Sequence, residues 1–199
     1  MGKNTPRWGH THAGGVAAIC GGSDQSRGPG RFTSGVFMNE KNNSLRRCCF
    51  TGHRPKKLTA DSEAIKASLA AEIDAAIADG ITEFITGMAR GVDMWAAELV
   101  LVRRAVNPGI TLFCAIPYEG FENKWADTWR NLYRSILAQA NGSKVFQPRF
   151  AYASFQERNR WMVDHSERVI AVFNGEKGGT KNTLDYARKV GVRVCILES

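Results

Sequence analysis

No apolar run in this chain approaches the roughly 18 residues that a bilayer-spanning helix requires. The apolar run at 16–20 is too short for a signal-peptide core and sits among glycines. Cysteines number five (Cys20, Cys48, Cys49, Cys114 and Cys195), and no two form the C-x-x-C pair of redox and zinc sites. Four of them fall in expected strands, where a buried, reduced thiol is the default. His10-x-His12 with Cys20 has neither a fourth ligand nor metal-site spacing, so no metal site is expected. There is no internal repeat. G-x-G-x-x-G and G-K-[ST] are both missing, which removes the dinucleotide fingerprint and the Walker A loop. The chain is therefore expected to be soluble and cytoplasmic, with no membrane partner.

What is present suits one domain with some excess. The chain has 199 residues and 43% hydrophobic content, enough for an ordinary core. The formal net charge is +8, of which the first 37 residues supply +3 from four Lys/Arg and one Asp. The remaining mild bias is compatible with anionic ligands and equally with a solvated basic surface. Those 37 residues also hold nine of the 20 glycines, with few large apolar residues. Such a segment cannot bury enough surface to offset its ordering entropy, so residues 1–44 are expected to be disordered. A polar stretch at 39–44 leads directly into the first strand. Met38 is the expected natural start, with 1–37 as an upstream extension or a mis-called start.

From residue 45 to 199, strand and helix patterns alternate. Strands are expected at 47–51, 83–86, 111–116, 144–147, 169–173 and 194–197, and helices at 62–79, 92–106, 124–140, 154–165 and 180–190. In the helix at 124–140, Trp125, Trp129, Leu132 and Ile136 share a face that packs as core or as a lid over it. Buried-looking strands alternating with helices predict an α/β domain: a mostly parallel sheet with helices on both faces.

Three glycine-bearing turns follow apolar runs: Thr51-Gly52-His53-Arg54-Pro55, Gly87-Met88-Ala89-Arg90-Gly91-Val92-Asp93, and Lys177-Gly178-Gly179-Thr180. Ligands of open parallel sheets bind at the carboxyl ends of the strands, so these turns should converge on one crevice. Glycine lets backbone N–H groups approach an anion closely, which points to a phosphate-bearing small molecule. Thr51, Gly52 and Arg54 can hold phosphate or ribose oxygens, the arginine bidentately. Gly91 leaves room at a helix N-terminus, where backbone donors are unpaired. Asp93 either caps that turn or accepts hydrogen bonds from ribose hydroxyls or a base edge. Gly178-Gly179-Thr180 reads as an anion nest or as an ordinary N-cap. His53 is expected to hydrogen-bond or pack.

These turns, in this order and with the strand end Ala115-Ile116-Pro117-Tyr118, resemble the SLOG superfamily, which includes DprA-type and LOG-type proteins. The likeness covers nearly everything after residue 45 and is nearest to the YpsA-like branch, which the segments at 156–164 and 166–173 also resemble. It implies a Rossmann-like fold that binds a nucleotide-derived or ADP-ribose-like ligand, with no obligatory cofactor. The ligand residues it implies are Gly52, Arg54, Gly87, Gly91, Asp93, Gly178, Gly179 and Thr180, with Ala89 in the second turn and Pro117 and Tyr118 beside the base or ribose.

One departure bears on catalysis. Phosphoribohydrolase members carry P-G-G-x-G-T-x-x-E, whose glutamate works on the glycosidic bond, and Thr183 stands at that position here. Glycoside cleavage needs a carboxylate near the reacting centre. The leading expectation is therefore nucleotide binding or sensing with no assigned catalytic residue. One alternative is a phosphoribohydrolase-type enzyme. Another is DprA-like binding of single-stranded DNA, through Arg149, Arg158 and Arg160 interleaved with Phe150, Tyr152, Phe155 and Trp161. Self-association through exposed helices is also expected.

Overall fold

In the computed structural model, which describes residues 46–199, strand and helix alternate along that whole span. The expectations for residues 1–44, for Met38 and for His10, His12 and Cys20 lie outside the described residues. The strands are β1 (Arg47–Gly52), β2 (Glu83–Thr86), β3 (Thr111–Tyr118), β4 (Gly142–Gln147), β5 (Arg168–Val172) and β6 (Arg193–Leu197). The helices are α1 (Ser62–Ala78), α2 (Val92–Val106), α3 (Asp127–Gln139), α4 (Tyr152–Asp164) and α5 (Gly179–Lys189).

The strands form one sheet in the order β4-β3-β2-β1-β5-β6, and every neighbouring pair is parallel. Parallel pairing needs a crossover between strands, and the helices supply it. The chain lays β2, β3 and β4 outward from β1, then returns to place β5 along the other side of β1. Strand order thus reverses between β1 and β5, which sets a crevice at their carboxyl ends.

Successive strand residues enter opposite layers, as a period of two requires. Cys48, Phe50, Phe84, Leu112, Cys114 and Ile170 pack with buried residues of α1, α2 and α3. Their neighbours Cys49, Ile85, Ala115 and Val169 pack with Met162 and Val163 of α4 and Ala187 of α5. Two apolar layers therefore cover the sheet, and the expected Rossmann-like architecture is the observed one. The four cysteines of this region are free, three of them buried. No helix among the described residues is long and apolar enough to cross a membrane.

Two local differences from the expected pattern matter. The helix expected at 124–140 begins at Asp127, so Trp125 belongs to the preceding turn. There its ring packs edge-on against Phe121 at 4.8 Å and Tyr133 at 5.7 Å. The turn after β1 contains an unexpected 3-10 segment, Pro55–Lys57. Proline fixes φ near the value that turn needs and lacks an N–H that would otherwise go unpaired.

Candidate functional site

The end of β1 and the start of α2 lie in close contact. A Cβ on Gly52 would fall 2.5 Å from the Val92 side chain. Gly91 holds φ at +92°, which glycine adopts without strain, and a Cβ there would fall 2.8 Å from Pro55 Cδ. The first two turns therefore interlock because both carry glycine where they touch. Lys57 and Asn174 join the first turn to the third: Lys57 Nζ pairs with Glu176 at 2.8 Å, and Asn174 Nδ2 donates to the Lys57 carbonyl at 2.9 Å.

Together the turns enclose a crevice of about 430 Å³. Thr51, Gly52, Arg54, Ala89, Asp93, Gly178, Gly179 and Thr180, all expected from the sequence, line it. Gly87, Gly91, Pro117 and Tyr118 lie outside that lining. Gly91 sits behind it as the N-cap of α2. Pro117 is buried in β3, and Tyr118 packs edge-on against Phe121, Phe150 and Phe155. Gly87 leaves the space taken by two other side chains: a Cβ there would fall 2.6 Å from Asp93 Oδ2 and would clash with Arg158 Nη1.

Those two side chains are the buried charges of the crevice lining. Asp93 and Arg158 are 6% and 4% exposed, and Arg158 Nη1 stands 4.0 Å from Asp93 Oδ2. Arg158 donates to the carbonyls of Gly87 and Ala115, while its Nε has no partner among the described residues. Asp93 Oδ2 accepts from the Ala89 N–H at 3.3 Å, so the carboxylate closes its own turn as well as facing the crevice. Thr86 Oγ1 braces the same turn, donating to the Asp93 carbonyl at 2.8 Å and accepting from the Met88 N–H at 3.2 Å. Burial pushes the Asp93 carboxyl up to about 6, against the opposing pull of Arg158 and the Ala89 N–H. Burial likewise lowers the Arg158 guanidinium from its usual value, while Asp93 holds it up.

His53 is another buried polar group of the lining. Its ring stacks on Phe173 at 5.4 Å, and its Nε2 has no partner among the described residues. Burial, then the Lys57 charge, lowers its pKa and so favours the neutral imidazole.

At the third turn, Gly178 holds φ at +155°, a conformation that side-chain-bearing residues rarely adopt. A Cβ on Gly178 or Gly179 would meet nothing within 4 Å, so the space above the N-terminus of α5 is open. Free backbone donors and the positive end of the helix dipole face that space. Thr183, at the position of the hydrolase glutamate, is committed elsewhere. Its hydroxyl donates to the Gly179 carbonyl at 2.9 Å and accepts from Asn159 Nδ2 at 3.0 Å. Among the described residues, Asp93 is the one carboxylate in the crevice lining.

The DNA-binding alternative put Arg158 on a nucleic-acid surface, and its burial corrects that. Phe155, Gln156, Arg158 and Asn159 of α4 all line the crevice, as do Phe121, Tyr152, Lys57 and Lys177. A signal for Arg158 was available. Ser154, Arg158 and Met162 recur every four residues along the buried stripe of α4. An arginine in such a stripe requires a buried acceptor or acid.

A wholly parallel sheet with glycine-bearing turns gathered at its switch point defines a doubly wound, Rossmann-like α/β protein. The model of the YspA SLOG family matches residues 48–191, and the chain belongs to that family. It is 33% identical over 120 residues to the "Uncharacterized SPbeta prophage-derived protein YoqJ" of Bacillus subtilis (strain 168), covering 53% of this chain and 69% of that protein. Its fold is similar to DNA processing protein A (DprA) from Streptococcus pneumoniae, with a TM-score of 0.55 at 17% identity over 76% of this chain and 50% of that one. DprA from Helicobacter pylori, a protein with a single-stranded DNA binding mode, gives a TM-score of 0.55 at 20% identity over 78% of this chain and 66% of that one. The chain thus spans half the length of the pneumococcal protein.

Proposed function

We propose that the protein binds a nucleotide-derived small molecule in the crevice between β1 and β5, and that binding rather than turnover is its role. The observation that carries this reading is the convergence of all three turns on one cavity. Open backbone donors at Gly178 and Gly179 stand on one side, and the Asp93–Arg158 pair stands on another. The glycine turn suits a phosphate, with Arg54 and Lys177 as its counter-charges. Asp93 repels phosphate and accepts hydrogen bonds, so it suits the ribose hydroxyls or a base edge. His53 Nε2 and Arg158 Nε are buried polar atoms that a ligand can satisfy. Tyr152 and Phe155 give the base an aromatic wall. Thr183 argues against glycoside hydrolysis, because its hydroxyl is bound within the fold and supplies no carboxylate.

Titration calorimetry of the full chain with AMP tests the proposal. One saturable site is expected, weakened strongly in Arg54→Ala and in Gly179→Glu. No binding of any nucleotide, or binding unaffected by both substitutions, would overturn it.

A second reading has one observation in its favour. Phe150 and Tyr152 stand 54% and 84% exposed, with rings 5.1 Å apart and Arg149 exposed beside them. Exposed aromatics with adjoining cations are the chemistry of a single-strand stacking platform, the kind of partner found for the Helicobacter pylori DprA. The burial of Arg158 removes one of the three cations this surface was expected to use. Oligonucleotide binding that falls steeply with salt and is lost in Arg149→Ala/Phe150→Ala, with AMP affinity unchanged, would favour it over the small-molecule reading.

A further inference from the structure

A further cavity, of about 560 Å³, adjoins the first turn. That volume is within the range of about 300–1,000 Å³ for small-molecule sites. Arg54, Pro55, Lys56, Lys57, Arg90 and Trp129 line it. Arg54 and Lys57 also line the crevice, so one wall serves both cavities. The lining holds four cations and no acid. Glu176 offsets Lys57 from outside the lining. Among the described residues, Arg54, Lys56 and Arg90 enter no ion pair.

The arrangement is held in place. Arg90 lies over the Trp125 ring at 5.4 Å, and the contact between Gly91 and Pro55 presses its turn against the 3-10 segment. Like charges gathered on fixed turns repel one another until an anion arrives. Trp129 adds a large aromatic surface beside them, which suits a ring better than a bare phosphate.

Resting on the reading of the crevice as a nucleotide site, we propose that its ligand is a dinucleoside polyphosphate. One nucleoside occupies the crevice, the phosphate chain passes Arg54 and Lys57, and the second base stacks on Trp129 with Lys56 and Arg90 around the phosphates.

Titration calorimetry of the full chain with AMP, ATP and diadenosine tetraphosphate separates the outcomes. Diadenosine tetraphosphate is expected to bind at least about tenfold more tightly than AMP, since each charged contact adds on the order of tenfold. The double variant Lys56→Ala/Arg90→Ala should lose that gain and leave AMP affinity unchanged. Trp129→Ala should weaken the diadenosine compound and spare ATP. Equal affinity for AMP and diadenosine tetraphosphate would overturn this proposal while leaving the crevice reading intact. So would a double variant that weakens both alike, or a Trp129→Ala variant that changes neither. An oligonucleotide that depends on Lys56 and Arg90 where the diadenosine compound does not bind would also overturn it. Absence of binding by all three compounds would overturn the crevice reading and this proposal together.

Discussion

Asp93 and Arg158 face each other at 4.0 Å in the crevice lining, both almost fully buried. Asp93 comes from the first turn of α2 and Arg158 from the middle of α4, elements that pack in the two different layers. The pair meets just past the end of β2 and beside the middle of β3, where Arg158 holds the carbonyls of Gly87 and Ala115. It therefore joins the two layers at the site as well as setting the site's charge.

Removing one partner should cost more than removing both. Asp93→Ala leaves a buried guanidinium uncompensated, a loss of roughly 3–5 kcal/mol. Adding Arg158→Met replaces that charge with an apolar side chain of similar length and should restore part of the stability. Urea unfolding of the single and double variants measures the coupling. Strictly additive losses would show that the two side chains act independently.

Two glycines of the site should respond in opposite ways to the same change. Gly87→Ala forces a Cβ against Arg158 and Asp93, and overpacking of this kind costs about 1–3 kcal/mol. Gly179→Ala meets nothing and lies at the first position of α5, so its melting temperature should hold or rise slightly. The same alanine narrows the turn that is read as the phosphate site, and AMP affinity should fall. Equal melting temperatures for the two variants would contradict this account of why each position is glycine.

The pH dependence has a defined sign. In the folded protein the Asp93 carboxyl titrates at about 6, above the ordinary aspartate value near 3.9. The folded state therefore binds more protons between about pH 4 and 6, and the contribution of Asp93 to stability falls as pH rises through that window. Asp93→Asn removes this slope. Ligand binding runs the other way, because a ribose hydroxyl donates to the ionised carboxylate. AMP affinity should rise from pH 5 to 7 more steeply in the wild type than in Asp93→Asn, where the second ionisation of the phosphate at about pH 6 still contributes. An affinity that falls across that range would remove Asp93 as the hydroxyl acceptor.

AMP incubated with the protein should release no free adenine. Thr183 stands where the hydrolase glutamate would be and is bound to Gly179 and Asn159. Chromatographic detection of adenine, abolished in Asp93→Asn, would instead make Asp93 a catalytic carboxylate.

The layers and most elements were legible in the sequence because buried parallel strands and amphipathic helices carry strong periodic signals. β2 and α2 have the expected bounds. The start of α3 was misplaced because Trp125 continues the apolar spacing while packing from a turn. The crevice was legible through its glycines, which mark close approach wherever they fall. Glycine alone does not say what approaches. At Gly87 it is Arg158 and Asp93, at Gly52 it is Val92, and at Gly179 the space is open. Arg158 was misplaced because its pattern of neighbouring arginines and aromatics resembles an exposed surface. Its burial depends on partners 43 and 71 residues away along the chain.

The most direct test of the central claim is a map of backbone amide chemical shifts in the full chain as AMP is added. The account predicts the largest changes at Gly52, His53, Ala89, Gly178 and Gly179, the amides around the crevice. Changes confined to Arg149 and Phe150 on the exposed rim, or none at any concentration, would contradict it.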